Sequence, residues 1–159
     1  MSKVITFSRA FPATHPKAGQ PTGFIEKIFR GIYKDKPSMF FDAKLGDIWL
    51  DPHLSGVKLH TIRAGNRWKV GDKFSPRVWS GKPYCSPQIT IAPDIEIKQI
   101  WDFECKADGT FYLNGFWVDV TSCDIPKNDG LTIDDFLNWF PVNKPFTGQV
   151  LCWDQNLKY

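Results

Sequence analysis

No two of the four cysteines, Cys85, Cys105, Cys123 and Cys152, stand in a C-x-x-C spacing, which argues against a thiolate zinc site. The three histidines are scattered, and His15 and His53 sit beside prolines, so metal-ligand spacing is missing there too. No metal and no cofactor is expected. No stretch approaches the roughly 18 apolar residues that a membrane helix needs, and the opening MSKVITFSRA lacks the apolar core of a signal peptide. The sequence therefore reads as that of a soluble, cytoplasmic protein without a membrane partner. Its cysteines are expected to be plain buried thiols of a reducing compartment. Repeats and low-complexity tracts are absent. The run Gly19 to Thr22 has no phosphate-binding glycine pattern, which excludes a mononucleotide P-loop there.

What is present points to one compact β-rich domain. A chain of 159 residues, 42% of them hydrophobic, fits a single core. Aromatic residues make up 15%, with 13 Phe and 7 Trp, enough area to fold without crosslinks. The 12 Pro and 12 Gly fall mostly between apolar runs, as many turns require. Charge is unevenly spread. Residues 1–82 hold 15 Lys and Arg against 6 Asp and Glu, whereas residues 83–159 hold 5 against 11. Either one face attracts polyanions, or the two halves interleave in space and cancel locally.

Along the chain, Val4 to Phe7 reads as a first strand, and the three prolines of FPATHPKAGQP forbid helix or central strand after it. A helix opens at Thr22 or Gly23 and runs to about Ile32, with Phe24, Ile25, Ile28, Phe29 and Ile32 in one apolar stripe and Glu26 placed to pair with Arg30. Residues 33–56 look irregular, with short apolar pieces at Met39-Phe40-Phe41 and Ile48-Trp49-Leu50. Strands are expected at VKLHTIR, at Lys73 to Trp79 (bent or at an edge, because of Pro76), at Ile89 to Ile91, and at Ile95 to Phe103. TFYL-NG-FWVDV carries a two-residue type I′ hairpin signal at Asn114-Gly115. Thr132-Ile-Asp-Asp135 resembles a capping box and starts a short helix to about Phe140, stopped by Pro141. Gln149 to Trp153 closes the fold as a strand. The sum is an α+β, mostly β domain with two or three short helices, and a small β-barrel suits it because closure removes exposed edges.

The hexapeptide KLHTIR, Lys58 to Arg63, followed by a basic loop and Val70-Gly71-Asp72-Lys73-Phe74, resembles the ASCH family of PUA-like domains, whose pattern is Lys-x-x-Thr-x-Arg and then Gly-Asp at the next strand. Ile5-Thr6-Phe7 is similar to the opening strand of that family, Asp129-Gly130-Leu131-Thr132 to the acidic turn before its later helix, and Phe146 to Leu151 to its last strand. The resemblance implies a single PUA-like β-barrel domain over residues 1–159, with an inserted helical and irregular segment at about 12–56. It also implies a cleft for RNA or a nucleobase. Small ASCH proteins of the acetylcytidine amidohydrolase type use Lys, Thr and Glu, and those roles fall here on Lys58, Thr61 and Asp129. The acid is one methylene shorter than in that pattern.

Amide cleavage needs an activated nucleophile, a proton shuttle and an oxyanion donor. Thr61 would supply the hydroxyl, Lys58 the base, Asp129 the carboxylate that orients or shuttles, and Arg63 a cation beside them with a forked donor set. Strand alternation opposes this, since Lys58 and Thr61 point to opposite sides of a regular strand; an irregular start near Gly56 would remove the conflict. The plain alternative is an edge strand with solvated Lys and Arg. His60 reads as a packed or hydrogen-bonded histidine. From Lys58 to Tyr84 seven cations, among them Arg67, Lys69 and Lys73, face one acid, Asp72, with Trp68, Phe74, Trp79 and Tyr84 interleaved. Cations for phosphates and rings for bases are what single-stranded nucleic acid needs. Trp68, flanked by Arg67 and Lys69, is the expected exposed ring, and Arg9 is expected at the cleft. Two functions fit: a module binding RNA or a modified nucleoside through Arg63, Arg9, Arg67, Trp68, Lys69 and Lys73, or an amidohydrolase of N-acylated cytidine using Lys58, Thr61 and Asp129.

Overall fold

The structure is a computed structural model, and it describes residues 2–33, 44–45, 48–51 and 53–159. The expected apolar piece Met39-Phe40-Phe41, like part of the segment 12–56, lies outside the described residues. The chain is α+β and mostly strand. It groups into two compact units, each assembled from two stretches: Met1–Lys58 with Lys73–Ile95, and Leu59–Asp72 with Glu96–Tyr159.

In the first unit β1 (Lys3–Thr6) runs parallel to β5 (Lys73–Trp79), which pairs antiparallel with β6 (Gln88–Thr90). β5 is therefore central, not the edge that Pro76 suggested. The reason is local. The Pro76 carbonyl faces the β6 side and accepts from the Ile91 N–H at 3.0 Å, just past Arg77↔Thr90, the last paired residues. The donor that proline lacks thus falls where the ladder has ended. Short β2 (Lys44–Leu45) and β3 (Ile48–Trp49) form a separate pair. α1 (Phe24–Ile32) follows Gly23, whose φ of 72° is a left-handed value suited to glycine. Its stripe Phe24, Ile25, Ile28 and Phe29 is buried, as the 3.6-residue period requires. Arg30 donates to the carbonyls of Leu54 and Gly56, and Glu26 accepts from the Asp51 N–H. Phe7 and Phe74 meet in the core of this unit at 6.4 Å between ring centroids.

The second unit is a five-stranded antiparallel sheet. β4 (His60–Ala64), β8 (Gln99–Cys105), β9 (Phe111–Leu113), β10 (Phe116–Val118) and β11 (Phe146–Cys152) lie in the order β10-β9-β8-β11-β4. The hairpin between β9 and β10 turns at Asn114 and Gly115, both with positive φ (49° and 83°), the backbone that a type I′ turn demands. α2 (Ile125–Asn128) and α3 (Ile133–Trp139) precede β11. Thr132 Oγ1 accepts from the Asp135 N–H at 3.1 Å and caps α3. Phe103 gathers Phe111, Phe136, Phe140 and Phe146 at centroid distances of 5.1 to 6.3 Å, and this aromatic cluster is the unit's core. The expected long strand at Ile95 to Phe103 is split into β7 (Ile95–Glu96) and β8. Ile97 between them exchanges backbone hydrogen bonds with Gly71 and Asp72 instead.

Among the described residues no sheet closes on itself, so closure into a barrel is not seen. The edges are handled differently. β10 is only three residues long, and at the other edge the chain leading into β4 is held by Leu59 N–H donating to Asn128 O at 2.7 Å. No helix among the described residues is long and apolar enough to cross a membrane.

Candidate functional site

Lys58, Thr61 and Asp129 are all buried, at 2%, 4% and 6% relative exposure. Lys58 belongs to the first unit. Its N–H donates to Lys27 O in α1 at 3.0 Å, and its Nζ lies 4.2 Å from the centroid of Phe24 and 6.0 Å from that of Phe7. Desolvation works against an ammonium there, and the ring faces work for it. This is not the solvated lysine of an exposed edge. β4 starts only at His60, so Lys58 stands outside the regular strand and outside its alternation.

Thr61 and Asp129 belong to the second unit. Thr61 sits in β4 opposite Leu151 of β11. Asp129 ends α2, its N–H bonded to the carbonyls of Ile125 and Pro126 at 3.1 Å. Asp129 Oδ1 lies 3.5 Å from His60 Nδ1. His60 is fully buried, and the Tyr159 ring meets it edge-on at 5.7 Å. Asn128 Nδ2 donates to the Tyr159 hydroxyl at 3.0 Å. Burial holds that phenol far above its ordinary pKa, although the Asn128 hydrogen bond pulls the other way. His60 is packed, as its sequence context suggested, and it is also a titratable neighbour of the candidate acid.

Trp68 is not the exposed ring it was expected to be: it is 3% exposed. Gln149 of β11 causes this. Its Oε1 accepts from the Trp68 N–H and its Nε2 donates to Trp68 O, both at 3.1 Å, which draws the backbone between two cations onto the sheet. Arg67 lies over the Trp68 ring, 5.3 Å from its centroid. Arg67, Lys69 and Lys73 are exposed, and Arg63 is half-buried opposite Gln149. Arg9 is exposed but engaged within the first unit, donating to Ser80 O at 3.0 Å and Trp79 O at 3.4 Å. Of the remaining rings in the cation-rich run, Phe74 is core, while Tyr84 is 86% exposed and lies 5.2 Å from Trp79.

Cys105 and Cys152 are buried thiols, whereas Cys85 is exposed, contrary to the expectation for all four. The surrounding segment explains the exposure: residues 80–87 form a surface turn in which Ser86 Oγ accepts from the Gly81 N–H and donates to Lys82 O. Among the described residues no group of three or more His, Cys, Asp or Glu is gathered as a metal site.

Sequence reading missed a second feature. A cleft of about 560 Å³ opens on the second unit, walled by Trp101, Phe116, Trp117 and Tyr159, with Asp124 and Lys158 on its sides. Its signal was in FWVDV: two large rings in a three-residue edge strand directly after a tight turn have little sheet to bury against. No family model matches the chain, and neither a curated protein nor a solved structure matches it.

Proposed function

We propose that the protein is an ASCH-type, PUA-like module, its strands spread over open sheets, that binds RNA or a modified nucleobase. The observation that carries this reading is the burial of Lys58, Thr61 and Asp129. Polar groups of these types are almost always on the surface unless a partner or a function holds them inside; Lys58 and Thr61 belong to the Lys-x-x-Thr-x-Arg resemblance, and Asp129 to the resemblance of the acidic turn. The exposed Arg67, Lys69 and Lys73 supply phosphate contacts, and Tyr84 takes over the stacking role first given to Trp68. The test is the salt dependence of affinity for a single-stranded RNA. Three phosphate contacts on a single strand give a logarithmic slope of about −2, hence roughly a tenfold or greater loss between 50 and 200 mM salt. Replacing Arg67, Lys69 and Lys73 by Ala together should flatten that slope. An affinity indifferent to salt would defeat the phosphate-contact reading.

A second reading is hydrolysis of an N-acylated cytidine through Thr61, with Lys58 and Asp129 as base and proton carrier. The approach of Asp129 to His60 favours it, because the carboxylate then has an imidazole with which to share charge. Incubation with acetylcytidine across a wide pH range decides. Release of cytidine that disappears in Thr61→Ala supports the enzyme, and no release at any pH excludes this substrate.

A further inference from the structure

The cleft on the second unit has the makings of a ring-binding site separate from the Lys-Thr-Asp set. By strand register Trp101, Leu113, Phe116 and Val118 share one sheet face: Phe103 pairs with Leu113, Leu113 with Phe116, and Phe111 with Val118. The same face carries the Phe103 cluster further along, where rings fill it. At the Trp101 end they do not, and about 560 Å³ is left open, within the range of small-ligand sites. Phe116 and Trp117 stand at the rim, 78% and 64% exposed, an apolar exposure that calls for a ligand.

The walls are set before any ligand arrives. Trp101 and Tyr159 meet at 4.8 Å with 59° between their planes, a corner instead of a closed stack. Tyr159 is fixed by its hydroxyl on Asn128 and its edge on His60. The Asn114 turn is fixed by Asp102 N–H donating to Asn114 Oδ1 at 2.8 Å. Preorganised rings bind with less ordering cost.

The geometry points to a nucleotide as the occupant, its base stacked in the cleft of Trp101, Phe116 and Tyr159, an exocyclic amine on Asp124 and a phosphate on Lys158. The charges decide the class. A purely aliphatic occupant would make no use of the exposed Asp124 carboxylate or the exposed Lys158 ammonium that flank the rings. A simple cation suits the rings and Asp124 but is repelled by Lys158. A nucleotide uses both charges as well as the rings. The choice of ligand rests on the nucleic-acid reading above; the cleft itself does not.

The probes are cytidine, adenosine and uridine monophosphates and their nucleosides, followed by tryptophan fluorescence, since two of the walls are Trp. Cytidine and adenosine monophosphates should quench and saturate. Uridine monophosphate, without an exocyclic amine, should bind several-fold more weakly, and removal of the phosphate should weaken binding further. Phe116→Ala, on an exposed edge, should lower affinity at least about fivefold while leaving the fold intact, as loss of one stacking ring does. Asp124→Asn should erase the preference for amino bases, and Lys158→Ala the preference for phosphate. If wild-type protein binds RNA but no mononucleotide, the cleft assignment is overturned and the RNA reading stands; Phe116→Ala binding nucleotide unchanged overturns the cleft assignment as well. If nucleotide binds through Phe116 while RNA does not bind, the cleft stands and the RNA reading falls. Binding of tetramethylammonium in place of nucleotides would overturn the ligand class.

Discussion

Replacing Gln149 by Leu should damage both stability and nucleic-acid affinity, and the first effect can be sized. The Gln149 amide makes two buried hydrogen bonds, to the N–H and the carbonyl of Trp68, each 3.1 Å long. A buried polar group left without its partner costs about 1–3 kcal/mol, so the two Trp68 groups together cost about 2–6 kcal/mol. Burying a leucine in place of an amide returns about 1–2 kcal/mol. The net loss is about 1–4 kcal/mol, which at a urea slope near 2 kcal/mol/M lowers the unfolding midpoint by about 0.5–2 M. Urea denaturation followed by fluorescence measures this. The same variant frees the backbone between Arg67 and Lys69 and should weaken RNA binding. Gln149→Glu adds a check on the mechanism. Its carboxylate still accepts from the Trp68 N–H, but only the protonated acid donates to the carbonyl, and burial raises its pKa. With the folded value raised, its stability is present below the unfolded value of about 4.3 and is lost as pH rises through the folded value. A midpoint shift under about 0.3 M for Gln149→Leu, or a pH profile for Gln149→Glu that parallels the parent protein, would refute the clamp.

A methyl group at Gly148 has no room: its Cβ would lie 2.2 Å from the backbone carbonyl oxygen of Arg63. Gly148→Ala should therefore displace β4 and destabilise by about 2 kcal/mol or more, read as a lowered urea midpoint; a neutral effect would mean that β4 yields freely. Thiol titration of the native protein should show one fast cysteine, removed by Cys85→Ser, because Cys85 is exposed and burial pushes the Cys152 thiol up to about 11. Four equally fast thiols would contradict the fold. Between the unfolded thiol value of about 8.5 and the native value of about 11, the unfolded chain gives up a proton that the native chain keeps. Stability should then fall as pH rises through this window, and less steeply in Cys152→Ala.

The parts of the fold legible in the sequence were those decided by neighbours in the chain. Asn114-Gly115 fixed its hairpin through two positive φ values. Thr132 capped its helix from three residues away. The stripe of α1 followed its own period. The errors came from partners far along the chain. Trp68 is buried by Gln149, 81 residues on, and nothing in Arg67-Trp68-Lys69 announces that. β11 begins at Phe146, where the resemblance placed the last strand and three residues ahead of the Gln149 that the residue pattern gave, because Phe146 and Thr147 find Cys105 and Glu104 across the sheet. Pro76 is central because β6 stops one residue short of it. The motif Lys58-x-x-Thr61 was legible as residue types, while its burial was not: sequence alone favoured a solvated edge.

That pattern of hits and errors redistributes the nucleic-acid chemistry. Cations were read in the first half of the sequence and remain exposed there at Lys73 and, in the second unit, at Arg67 and Lys69. Exposed rings instead concentrate in the acidic half, at Phe116 and Trp117. The two contributions separate by salt. Phosphate contacts release counterions, so removing Arg67, Lys69 and Lys73 should change the slope of log affinity against log salt. Stacking releases none, so Phe116→Ala should lower affinity by the same factor at every salt concentration, parallel to the parent line. RNA titrations at four salt concentrations distinguish the cases. A Phe116→Ala line that converges on the parent line at high salt would mean that its effect runs through charge, and the stacking role of the cleft would be lost.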